Sequence, residues 1–267
     1  RDAQESRGLG DVYKRQRCLA VSQDKGYVWI GTRSGIGRFN GYELKKYLRN
    51  SVLHILEDKE HTIWAITTKG VFAYTYPEDE FKQVYDNDRN PVIASSLYGC
   101  SDGILFGGNG MLYKYDYTTR QIRHFLTLKS RDKYVITNLQ KWDENTLFAS
   151  NRWNHALLID MRTGQTQQAP FNSEGLISSL IDSKGNIWVA PYHQGIKCYD
   201  KNGKQLHAYH TNNSPMQTNV VLSLAEHNGQ IWIGTDGGGI YLLNPENGMM
   251  SVLNHVPGNS NLSLIHI

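Results

Sequence analysis

The sequence predicts an all-β fold, a β-propeller of four-stranded antiparallel blades with six blades present, and three observations carry that expectation. A unit of about forty residues recurs in register. Each unit alternates apolar and polar residues at the period of two that marks strands. Tyr (16) and Gly (25) are abundant while Pro (7) is scarce, a balance that favours strands joined by tight turns.

The repeat shows on aligning the tryptophans. Four segments share one layout: YVWIGTRSGIGRF from Tyr27, TIWAITTKGVFAY from Thr62, NIWVAPYHQGIKCY from Asn186 and QIWIGTDGGGIYLL from Gln230. Two degenerate copies, from Gly103 and Thr146, put Leu105 and Leu147 at the Trp position. The anchors therefore fall at 29, 64, 105, 147, 188 and 232, with spacings of 35, 41, 42, 41 and 44 residues.

Each element of the unit has its own signature. An alternating apolar run (Val52 to Leu56, Ile177 to Ile181, Val220 to Ala225) predicts the first strand, and an acidic turn such as Asp182-Ser-Lys-Gly185 predicts a hairpin. The Ile-Trp-Ile/Val run is the second strand. A loop closed by Gly plus an apolar residue, as in Gly35-Ile36 or Gly195-Ile196, opens the third. A polar turn such as Asn40-Gly41 or Asn202-Gly203 then leads to a short fourth strand, Glu43 to Tyr47 or Gln205 to Tyr209. One such meander cannot bury both faces, whereas radial stacking does, and the Trp is then expected between adjacent blades. No unit carries an apolar stripe of period 3.6, which excludes a helical solenoid.

Composition narrows the function. A net charge of +3 with no cluster of four or more Lys/Arg gives no footprint for nucleic acid or an anionic membrane, and no run of about 18 apolar residues exists for a spanning helix. Cys18, Cys100 and Cys198 are odd in number and widely spaced, so they point to neither a disulfide framework nor zinc. His207 and His210 have no metal-binding spacing for a strand, and Asp182 to Asn186 lacks the carboxylates of a calcium loop. No cofactor and no metal are expected.

Both ends differ from the rest. Residues 1–16 (RDAQESRGLGDVYKRQ) have no apolar periodicity and resemble translated sequencing-adapter DNA, as do residues 262–267 (LSLIHI). Both are expected to be non-native, leaving the propeller at 17–261.

The Trp29-Ile-Gly-Thr32 and Trp232-Ile-Gly-Thr235 runs, with partial copies at Trp64 and Trp188, resemble the two-component regulator propeller repeat. The copies at Leu105 and Leu147 depart from it. The resemblance implies the periplasmic sensor region of a Bacteroides-type hybrid regulator, with six blades of an incomplete seven-bladed ring. It further implies an oligosaccharide signal, a second propeller and further domains in the same chain, a homodimer at full length, and a histidine kinase that controls transcription. The propeller itself is then not an enzyme.

Loops joining strands two and three are expected to surround the channel mouth, where ligands bind by default. Two of them break the small-residue pattern: Asn151-Arg152-Trp153-Asn154-His155, and Tyr192, His193 and Gln194 after Pro191. Aromatic faces flanked by amides, Arg and His suit a sugar, whose CH face stacks while its hydroxyls bond. Arg33 and Asp236 are weaker additions. Packing against a neighbouring blade is the competing role for Trp153 and Tyr192. Two other functions stay open: a polysaccharide lyase or hydrolase, for which Arg152, His155 and His193 are the candidates, and a purely structural protein-interaction propeller.

Overall fold

The computed structural model describes residues 16–22, 25–86, 96–108, 110–128, 136–151 and 154–253. Of the expected foreign segments, 1–16 and 262–267, all but Gln16 lie outside them, as does 254–261; Gln16 is the first residue of a strand, paired with Thr32.

Every repeat folds as a four-stranded antiparallel meander in sequence order, and the chain is all-β with a β-propeller fold. It divides into two compact units, Arg1–Ile136 and Thr137–Ile267. The first unit holds the sheets β1(Gln16–Val21) β2(Val28–Thr32) β3(Gly35–Phe39) β4(Leu44–Lys46), then β5(Val52–Glu57) β6(Ile63–Thr67) β7(Gly70–Thr75) β8(Glu80–Asp86), then β9(Ser96–Gly99) β10(Gly103–Gly108) β11(Met111–Asp116) β12(Ile122–Thr127). The second holds β13(Ile136–Lys141), which starts one residue before the division, with β14(Thr146–Asn151) β15(Leu157–Asp160) β16(Thr166–Gln168). Then come β17(Leu176–Ile181) β18(Ile187–Pro191) β19(Ile196–Tyr199) β20(Gln205–Tyr209) and β21(Val221–His227) β22(Gln230–Thr235) β23(Ile240–Leu243) β24(Met250–Leu253).

The anchors do what the repeat requires. Trp29 packs on Ile63, Ala65 and Tyr74 of the next sheet, Trp64 on Ile104 and Phe106, and Trp188 on Ile231, Ile233 and Tyr241. Leu105 and Leu147 are equally buried, so the degenerate copies keep the frame. Opposite Leu105, Lys114 is buried and reaches Asp102 at 2.5 Å, as the cation Arg38 lies opposite Trp29 in the first sheet.

The threonine that ends strand two in three of the sheets also has a physical reason. Thr32, Thr67 and Thr235 are buried, and each hydroxyl donates across its turn to the carbonyl of Gly35, Gly70 or Gly239, at 3.0, 3.2 and 2.7 Å. Gly70 is required there: its φ is +138°, and a Cβ would lie 1.8 Å from the Tyr85 carbonyl oxygen on the neighbouring strand.

Candidate functional site

Within the second unit, the strand-two-to-three loops and the connections between sheets share one end. The Tyr192 amide donates to Gly175 O at 3.0 Å, that of Gly195 to Asn219 O at 3.0 Å, and that of Asp236 to Val220 O at 2.9 Å. The loop after β18 thereby lies on the connection that enters β17.

That connection alternates. Phe171 and Ser173 point inward: Phe171 stacks on Tyr199 at 4.7 Å, and the Ser173 hydroxyl accepts the Ala156 amide at 2.9 Å. Asn172 and Glu174 point out to solvent. Together with Gly175, Pro191, Tyr192, Gln194 and Lys197 they line a pocket of about 260 Å³. Pockets for drug-sized ligands measure about 300–1,000 Å³, so this one suits a single ring rather than an extended ligand.

The chemistry of the pocket is mixed. Tyr192 is 61% exposed, with its ring held edge-on by His193 at a centroid distance of 4.0 Å. His193 has a φ of +56°, a left-handed conformation that is costly for a side chain larger than Gly and common at ligand sites. Lys197 Nζ donates to Gln194 Oε1 at 2.9 Å, which turns the Gln194 amide nitrogen away from the lysine. Asn172 Oδ1 accepts the Glu174 amide at 3.4 Å. An exposed aromatic face, two amides, one ammonium and one carboxylate therefore converge on one small cavity. Among the described residues no group of three or more His, Cys, Asp or Glu is arranged to hold a metal.

Of the residues expected from sequence, Tyr192 and Gln194 line the pocket and His193 supports it. Asn151 is buried and accepts the Asn154 amide on Oδ1 at 3.3 Å, and His155 is half-buried beside Ala156, next to the Ser173 connection. Arg152 and Trp153 lie outside the described residues. Asp236 is exposed but lines no part of this pocket, and Arg33 is exposed in the other unit. Sequence reasoning missed Asn172, Glu174 and Lys197. The alternation of Phe171 and Ser173 with polar neighbours was the available signal, and the strand period of two sets Lys197 opposite Ile196 and Cys198.

Residues 215–237 match the family model described as two component regulator propeller. No curated protein matches the chain. Among solved structures, the extracellular domain of a B. thetaiotaomicron protein described as a hybrid two component system superposes with a TM-score of 0.74 at 15% identity, over 93% of this chain and 36% of that one. A second such domain from B. thetaiotaomicron gives a TM-score of 0.71 at 20% identity, over 92% and 34%. Catalytically inactive virginiamycin B lyase from Staphylococcus aureus with quinupristin gives 0.71 at 16% identity, over 89% and 83%. The chain thus spans about a third of the two B. thetaiotaomicron domains. It is a β-propeller whose residues 215–237 are similar to the two component regulator propeller repeat.

Proposed function

We propose that this propeller is the extracytoplasmic, ligand-sensing part of a two-component regulator, and that the pocket around Tyr192 takes a saccharide. The observation that carries the reading is the largely exposed Tyr192 ring above a pocket whose remaining side chains are Asn172, Glu174, Gln194 and Lys197. A pyranose offers this surface an apolar CH face for the ring and hydroxyls for the amides and charges. His155, from the neighbouring loop, extends the site for a second sugar unit, while Asn151 holds that loop through the Asn154 amide.

The fold likeness to extracellular domains of two-component systems and the repeat at 215–237 support the sensor role. In this reading the domain is periplasmic. It works with a second propeller and a histidine kinase in a longer chain that dimerises, and saccharide binding is relayed to transcription.

The test is calorimetric titration of the chain with oligosaccharides from partial digests of single polysaccharides, with chromatography of the ligand afterwards. Binding of one oligosaccharide family, unchanged after incubation and lost in Tyr192→Ala, supports the sensor. Shortened or unsaturated products make it an enzyme, and no binding from any digest overturns the saccharide assignment.

A further inference from the structure

The first sheet holds a larger pocket that the reading above does not use. It measures about 370 Å³ and is lined by the β2–β3 turn (Thr32, Ser34), by Gly35 to Gly37, and by Leu44, Lys46 and the Tyr47 to Arg49 segment. Strand alternation separates the two lysines of β4. Lys45 pairs with Arg38 and reaches Asp79 across one face, whereas Lys46 pairs with Gly37 and belongs to the other.

Gly37 makes the room beneath Lys46. It has no side chain, and a Cβ there would meet Leu44 Cδ1 at 2.9 Å. Leu44 is half-buried and forms an apolar wall, and Ser34 Oγ, 3.2 Å from Thr32 Oγ1, adds a hydroxyl at the rim. Lys46 and Arg49 are both exposed, neither has an ion pair among the described residues, and no Asp or Glu lines the pocket. Two uncompensated cations over an apolar wall and a hydroxyl form a site for a compact organic oxyanion.

We propose that this pocket binds a small carboxylate-bearing molecule of sugar-acid size, with Lys46 and Arg49 holding the carboxylate and Leu44 the carbon skeleton. The site is independent of the Tyr192 pocket, which lies in the other unit.

Glucuronate and its neutral counterpart glucose test it by calorimetric titration of the full chain carrying Tyr192→Ala, which removes the saccharide contact of the other pocket, at low and high salt. Glucuronate binds and glucose does not, binding weakens with salt, and the double variant Lys46→Ala/Arg49→Ala loses about tenfold or more in affinity. With Tyr192→Ala in place throughout, neither sugar reports on the saccharide pocket, so this result stands or falls independently of that reading. Both cations are on the surface, so the double variant is expected to fold, and its circular dichroism and thermal midpoint are measured alongside. Three results overturn the proposal: no glucuronate binding at millimolar concentration, equal binding of glucose, or equal affinity once Lys46→Ala/Arg49→Ala is added. Equal binding of inorganic sulfate overturns the part assigned to Leu44, which Leu44→Ala then checks directly.

Discussion

The indole Nε1 of Trp188 donates to Asp182 Oδ2 at 2.9 Å, and Trp64 makes the same bond to Asp58 at 2.7 Å. Both carboxylates are buried in the hairpin between strands one and two, at equivalent registers. The aspartate amide is bonded to the carbonyl two residues before the Trp. Each also accepts two turn amides, Lys184 and Asn186 in one case, Glu60 and Thr62 in the other. Replacing Asp182 by Ala removes these three bonds and a fourth from Asn186 Nδ2 at 3.2 Å, and leaves the indole N–H buried without a partner. The expected loss is about 3 kcal/mol, read as a lower urea midpoint with unchanged slope.

The converse holds where the aspartate is missing. Ser22 and His227 occupy the equivalent position, and the Nε1 atoms of Trp29 and Trp232 are buried without a hydrogen-bond partner among the described residues. Ser22 is committed elsewhere, donating to Glu57 and accepting from Tyr76. His227 is exposed, with its ring edge-on to Trp232 at 6.1 Å. His227→Asp should therefore stabilise the sixth sheet by about 1 kcal/mol at neutral pH, and by less once the new carboxylate is protonated. An unchanged urea midpoint rules out the bond.

These pairs show what was legible. The tryptophan spacing and the Gly-Thr turns set the strands and their order, because they are local patterns of period two closed by fixed turn chemistry. The fourth strand β20 matches Gln205 to Tyr209, whereas β4 is only Leu44–Lys46, since an edge strand has one partner and a weaker apolar signal. The candidate site was half legible. Tyr192 and Gln194 stood out as a break in a repeated loop, but Asn172 and Glu174 reach the pocket through a backbone bond from Tyr192 to Gly175, which no spacing records, and Lys197 joins from β19 through its bond to Gln194.

Asp79 sets a pH dependence for the first unit. Its carboxylate lies against Lys45 Nζ and accepts Tyr47 Oη at 2.7 Å, Tyr74 Oη at 2.6 Å and an Arg38 N–H at 3.1 Å. The bonds from Lys45, Tyr47 and Tyr74 hold it well below the usual carboxylate range. A depressed folded value means the stabilisation is full above the unfolded value of about 4 and is lost as pH falls below it. Asp79→Asn should flatten the acid limb of a urea-midpoint profile. An identical limb in the variant removes Asp79 as its cause.

The same cluster predicts an alkaline limb of opposite sign. Burial, reinforced by the bond to Asp79, pushes the Tyr74 phenol up to about 12, and burial raises Tyr47 as well. Neutral phenols are favoured in the folded state, so this contribution is intact below about pH 10 and fades as pH rises through the folded values. Ultraviolet titration should show a delayed tyrosinate fraction that Tyr74→Phe reduces; ionisation of all tyrosines near the free value would contradict it.

The pocket loop separates binding from stability in a way two variants resolve. Tyr192 is mostly exposed and its ring contacts His193, so Tyr192→Ala should change stability by no more than about 0.5 kcal/mol while abolishing saccharide binding. Gly195 closes the same loop with a φ of +72°, and a Cβ there would sit 2.2 Å from the Tyr209 carbonyl oxygen. Gly195→Ala must displace the β19–β20 pairing or the loop itself, at a cost of about 2 kcal/mol or more, and moves Tyr192 off Gly175. Loss of binding in both variants with loss of stability only in Gly195→Ala identifies the Tyr192 ring as a contact and Gly195 as its support. Equal destabilisation by the two would make Tyr192 a packing residue.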